Sequence, residues 1–134
     1  MLEKVKNEEI ICVGSGVMDK VLTIAPVYCY DVHSFLYYEN QTPLVAYFIK
    51  SGKGKLFRRG DVDIPFGPGN IIGLKELMKN EPSYFGAELE AGSSLIYLDR
   101  STIYEIIGEG LDKELKAFFE ERLPPVKVPA YFSD

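Results

Sequence analysis

From Leu44 to Leu98 the chain never runs far without a turn signal. Ser51-Gly52-Lys53-Gly54, Gly60-Asp61, Gly67-Pro68-Gly69-Asn70 and Ala91-Gly92 cut it into short apolar and aromatic runs. Glycine and proline punctuate a chain because one admits positive φ and the other fixes φ and removes a donor. Runs this short are too brief for helices and read as strands. Leu44 to Lys50 is apolar on both alternating faces, as a central strand is. Lys55–Arg58, Val62–Pro65, Ile71–Gly73, Phe85–Leu89 and Ser94–Leu98 follow it. Many short strands with regular turns predict an antiparallel sandwich or jelly roll.

The ends behave differently. Ile10–Val13 reads as a strand, Gly14-Ser15-Gly16 as a turn, and Val21–Tyr30 as a strand interrupted near Pro26. Phe35–Tyr38 is a further strand. Residues 1–34 are thus read as extra N-terminal strands. Lys75–Lys79 suits one helical turn. Thr102 and Glu105 stand at capping-box spacing, opening a short helix through Ile107 that Gly108 and Gly110 break. Asp112 can cap a second helix, 112–123, whose Leu111, Leu115, Phe118, Phe119 and Leu123 recur at helical spacing. Pro124-Pro125 stops it, and 124–134 is an apolar, proline-containing tail. No repeat or linker divides the 134 residues, so 1–134 is one domain: all-β, with short helices mainly C-terminal.

Charge narrows the function. Fifteen basic and twenty acidic residues give a net charge of −5, whereas nucleic-acid affinity rests on a basic surplus and counterion release. Two cysteines and no leader-like segment read as cytoplasmic, and no apolar run approaches the ~20 residues of a membrane span. His33 is the only histidine. On a strand it would lie ~13 Å from Cys29, too far to share a metal. A metal-dependent enzyme on a jelly roll needs several such ligands, and a Ser/His/Asp arrangement would have to rely on His33 alone. The expectation is a non-enzyme with no cofactor. Lys50, Lys53, Lys55, Arg58 and Arg59 form a local basic run. It suits either a phosphorylated or acidic partner or, more simply, a solvated hairpin with lysines guarding a strand edge.

Three segments carry a resemblance. They are Tyr47-Phe48-Ile49-Lys50-Ser51-Gly52, Pro68-Gly69-Asn70-Ile71-Ile72-Gly73, and Ile96-Tyr97-Leu98-Asp99-Arg100 with the two helices after it. In order and spacing, Phe35 to about Leu123 resembles a cyclic nucleotide-binding domain, the sensor half of catabolite-activator-type bacterial regulators. The resemblance implies a double-stranded β-helix, or jelly roll. It implies ligand contacts at Gly73, Leu74, Lys75, Glu76, Ser83, Tyr84 and Phe85, with backbone N–H groups after Gly73 cradling an anion. It also implies a dimer helix at 112–123, pairing through Leu115, Phe118, Phe119 and Leu123, although the same stripe can fold onto its own barrel. The sequence departs from the family at two points. Leu74 stands where the family has a ribose-binding Glu. Tyr84 or Phe85 stands near the family's phosphate-clamping Arg, and no Arg lies between Arg59 and Arg100. A guanidinium meets phosphate with paired, charge-assisted bonds that an aromatic ring cannot make. The implied function is a small-molecule-sensing regulatory domain that does not bind cyclic AMP or cyclic GMP in the usual way, with a ligand-free interaction module as the alternative. No DNA-binding module follows Leu123, so direct nucleic-acid binding is not expected.

Overall fold

Successive side chains of a strand point to opposite faces, and in the run at 44–50 both faces are covered. Ala46 and Phe48 meet helices while Ile49 meets a second sheet, and all three are fully buried. The computed structural model describes residues 10–109 and 112–122. In chain order its elements are β1 (Ile10–Cys12), α1 (Ser15–Leu22), β2 (Tyr28–Tyr30), β3 (Ser34–Tyr37), β4 (Val45–Ser51), β5 (Gly54–Phe57), β6 (Ile64–Phe66), β7 (Asn70–Ile72), α2 (Leu74–Lys79), β8 (Gly86–Leu89), β9 (Ser93–Asp99), α3 (Arg100–Glu109) and α4 (Lys113–Arg122).

The strands form a five-stranded sheet, β1-β7-β4-β9-β2, and a four-stranded sheet, β3-β8-β5-β6. Every pairing is antiparallel. β4 sits at the centre of the larger sheet, with Ala46 opposite Leu98, Tyr47 opposite Tyr97 and Phe48 opposite Ile96. The outer face of that sheet packs on the helices through Phe48, Ile71, Ile96, Val21, Leu74, Ile103, Ile106 and Phe119. Its inner face packs on the smaller sheet through Ile49, Ile72, Leu95, Leu56, Phe85 and Leu89. The jelly roll read from the sequence is therefore present, with a helical layer on one side.

Two local expectations are corrected. Residues 15–22 form α1 rather than a turn running into a strand, so the N-terminal segment is strand–helix–strand. Val17, Met18, Val21, Leu22 and Ala25 make a helical stripe packed on the core, and only Tyr28–Tyr30 of the expected strand is extended. Gly16 lies inside this helix because α4 passes close by: a Cβ there would stand 3.1 Å from Glu114 Oε1. The third helix starts before Thr102, since Asp99 Oδ1 accepts the Thr102 N–H at 2.8 Å, and it runs through Gly108 to Glu109. The two longest helices are the C-terminal ones, α3 and α4, and the shorter α1 and α2 precede them.

Asp112 caps α4 as read, accepting the N–H groups of Glu114 and Leu115 at 2.9 and 3.1 Å. Leu115, Phe118 and Phe119 fold onto the chain's own barrel, at 1%, 5% and 0% exposure. Residues 1–9, Gly110, Leu111 and 123–134 lie outside the described residues, and the readings of Leu111, Leu123 and the tail fall there.

Candidate functional site

The segment between β7 and β8 holds every ligand contact implied by the resemblance. Gly73 ends β7 with φ +80°, a conformation that glycine takes without a steric penalty. Its carbonyl accepts the Leu77 N–H at 3.0 Å, closing the first turn of α2. Leu74 then turns into the helical core and is 1% exposed. Lys75 is half-buried, and its Nζ lies 3.7 Å from Oε2 of the buried Glu76. The turn is thus kept, but its side chains hold it to the fold.

Residues 83–85 return the chain to β8. Glu81 N–H donates to the Glu76 carbonyl at 3.0 Å, tying this loop to α2. Ser83 is buried. Its hydroxyl donates to Phe85 O at 2.6 Å, and its backbone exchanges two hydrogen bonds with Asn40 and Gln41. Tyr84 points outward and is half-exposed. Its hydroxyl donates to Asp61 Oδ2 at 2.9 Å, and that bond holds the phenol above its ordinary pKa. Arg58 stacks on the same ring at 4.0 Å while donating to the Tyr84 carbonyl at 2.6 Å. Phe85 takes the inward place, 3% exposed among Tyr37, Ile49, Leu56 and Ile72. Leu74 and Phe85 therefore belong to different cores, on opposite sides of the large sheet.

Lys53, Lys55 and Arg58 of the basic run are paired with acids on β8 and in neighbouring loops. Lys55 Nζ lies 3.0 Å from Asp63 and 3.2 Å from Glu88, and both partners raise its pKa. Lys53 reaches Glu90 at 3.9 Å and Arg58 reaches Glu39 at 3.6 Å. His33 shares Glu88 at 3.2 Å and meets Phe35 edge-on. Cys12 and Cys29 are exposed free thiols, and among the described residues no His/Cys/Asp/Glu group has the makings of a metal site.

Sequence reasoning missed a group of tyrosines on the inner face of the large sheet. Tyr28 is opposite Leu95 in the ladder, so it shares the inward face. Its ring stacks on Tyr97 at 4.7 Å and 12°. Tyr47 meets Tyr97 at 6.3 Å and Tyr37 at 6.0 Å, and donates its hydroxyl to Leu36 O at 3.2 Å. Tyr30 packs on the same cluster. Burial first, then neighbouring Tyr30 and Tyr97, push Tyr47 up to about 12. The hydrogen bond with Tyr28 raises Tyr97. Tyr28, on the last strand of its sheet, keeps 41% of its surface exposed and forms the rim of this aromatic cluster. The available signal was the two-residue spacing of Tyr28 and Tyr30, which places both on one face of a strand.

Two antiparallel sheets, a glycine-opened turn and helix between β7 and β8, and a helical layer on the outer face define a jelly roll with attached helices. More particularly, this is the fold of cyclic nucleotide-binding domains. The chain superposes on the Thermus thermophilus catabolite activator protein with a TM-score of 0.62 and 22% identity, covering 78% of this chain and 50% of that one. It superposes on a cyclic nucleotide-binding-like protein from Brucella abortus with a TM-score of 0.56 and 28% identity, covering 69% and 83%. A protein solved in work on a cyclic-GMP-dependent pathway regulating bacterial phytopathogenesis gives a TM-score of 0.72 at 17% identity, covering 83% and 90%. No protein-family model and no curated protein matches the sequence. No helix among the described residues is long and apolar enough to cross a membrane.

Proposed function

We propose that this chain is a small-molecule-sensing regulatory domain, cytoplasmic and non-enzymatic, that does not hold cyclic AMP or cyclic GMP through its cassette. The observation that carries this reading is the exchange at residues 84 and 85. Where the family places a phosphate-clamping Arg, Tyr84 faces outward, fixed by Arg58 and Asp61, and Phe85 fills the interior. A phosphate entering there would lose its water and meet apolar side chains, a penalty that only paired charge can offset. The fold supports the regulatory part, because the neighbours include a catabolite activator and a cyclic nucleotide-binding-like protein. Of the seven implied contacts, Gly73, Leu74, Glu76, Ser83 and Phe85 are buried in the fold, leaving Lys75 and Tyr84 with most of the accessible surface.

A signal would leave the cassette through Arg100. Its Nε and Nη2 both donate to Leu77 O, at 3.1 and 2.8 Å, joining the end of α2 to the start of α3. A homodimer would use a surface other than Leu115, Phe118 and Phe119, which the chain's own core already covers. The burial of the cassette side chains also favours a second reading, a ligand-free interaction module on the same fold.

Thermal unfolding against cyclic AMP, cyclic GMP, cyclic dinucleotides and a set of planar metabolites tests the proposal, since a ligand that binds only the folded state raises the midpoint. No shift is expected with cyclic mononucleotides, and a rise with either would sink this reading of the cassette. A rise with another compound identifies the ligand class. A flat panel favours the interaction module.

A further inference from the structure

We propose that the hollow between the end of α2, the β3–β4 loop and the start of α3 binds a free α-amino acid with an apolar side chain. Resting on the reading of the chain as a small-molecule sensor, this gives its ligand a place outside the cassette, where Leu74, Glu76, Ser83 and Phe85 are buried. The hollow has a volume of about 270 Å³, just below the ~300–1,000 Å³ usual for ligand sites, so it suits a metabolite smaller than a nucleotide. Asp99 and Arg100 stand together on its wall, with Thr42 and Ser101 beside them.

Both charged groups are only half engaged. Arg100 donates from Nε and Nη2 to Leu77 O, and from Nη2 to Asn80 Oδ1, which leaves Nη1 without a bond among the described residues. Asp99 Oδ1 accepts the Thr102 N–H at 2.8 Å, and Oδ2 has no bond among the described residues. Neither group forms an ion pair among those residues, with the other or with a third. A simple anion there would be repelled by Asp99, and a simple cation by Arg100. A zwitterion satisfies both. Its carboxylate takes charge-assisted bonds from Nη1 and the hydroxyls of Thr42 and Ser101, and its ammonium donates to Asp99 Oδ2. An apolar side chain then has a surface to cover, because Leu44 is 84% exposed at the same hollow, and Pro43 and Leu77 line it. A ligand so held would bridge the β3–β4 loop to the α2–α3 junction, at the guanidinium that joins those two helices.

Titrating the isotope-labelled full chain with L-leucine, and following its backbone amide resonances, provides the test. Shifts are expected to saturate at Thr42, Leu44, Asn80, Ser101 and Thr102, and to leave His33 and Glu90 unmoved. Isoamylamine, which lacks the carboxylate, and isocaproate, which lacks the ammonium, should each bind about tenfold more weakly, since each forfeits one charge-assisted bond. The amine thereby probes Arg100 without loosening the α2–α3 junction. Asp99→Asn keeps a capping oxygen for Thr102. It should bring leucine down to the level of isocaproate while leaving isocaproate itself no weaker, whereas a merely structural role for Asp99 would weaken both alike. The inference is overturned if the leucine shifts scatter or fail to saturate, if the three compounds bind equally, or if Asp99→Asn weakens leucine and isocaproate together. A thermal rise with a cyclic mononucleotide would sink the reading of the cassette and leave a saturating leucine response at these amides in support of this site.

Discussion

At the scale of single residues, two aromatic side chains report on how the interior is closed. Tyr47 stays protonated in the folded chain until about pH 12, whereas a free tyrosine ionises near 10. Its folded pKa is raised, so its stabilisation is fully present below pH 10 and lost as pH climbs through the folded value. We expect Tyr47→Phe to flatten the fall of the urea midpoint between pH 10 and 12. Below pH 10 the same change should cost only about 1 kcal/mol, for the lost bond to Leu36 O. The second case is Gly86, where an added Cβ would lie 2.3 Å from the Phe57 ring. Gly86→Ala should destabilise by roughly 1–3 kcal/mol, as overpacking does. Phe57→Leu should recover part of that loss in a double-mutant cycle, because the obstruction is a side chain rather than backbone.

At the scale of elements, α4 depends on its first residue and its buried face. The Asp112 carboxyl is held below its ordinary 3.8, first by the hydrogen bond from Lys20 and then by the Leu115 N–H it caps. Its folded pKa is lowered, so its contribution is present above the unfolded value and lost as pH falls through the folded one. Asp112→Asn keeps a capping oxygen but removes the charge, so its melting temperature should depend less on pH than that of the parent as pH falls below the ordinary 3.8. Phe119 is fully buried and meets Phe48 at 6.4 Å. Phe119→Ala should cost about 3–5 kcal/mol in chemical unfolding. A much smaller loss would show that α4 is not integral to the barrel. The helix and its cap were legible because Asp112 and the stripe after it obey local rules. The helix at 15–22 was not, because a Gly-Ser-Gly signal in front of Val17 looks like a turn until the packing partner at Glu114 is seen.

At the scale of the whole molecule, two cores share one sheet, and the large sheet separates the residues that the resemblance had gathered into one site. Leu74 serves the helical side and Phe85 the barrel side. The β4–β5 hairpin and the return strands were readable because their apolar runs and glycine turns are contiguous in sequence. The tyrosine rim was not, because Tyr28, Tyr47 and Tyr97 meet only once β2, β4 and β9 lie side by side. The neutralisation of the basic hairpin has the same origin: Lys55 finds Glu88 through the pairing of β5 with β8, 33 positions along the chain.

By itself the sequence determined the cadence of strands and turns, the cap and stripe of the last helix, the net negative charge, and the lack of any arginine between Arg59 and Arg100. These depend on neighbours along the chain or on composition alone. Only the tertiary structure decided which face of each strand turned inward. Alternation places Tyr84 and Phe85 on opposite sides but does not say which side is the core. Arg58 and Asp61 hold Tyr84 outside, the inner cluster receives Phe85, and Arg58 and Asp61 come from the loop after β5, distant in sequence.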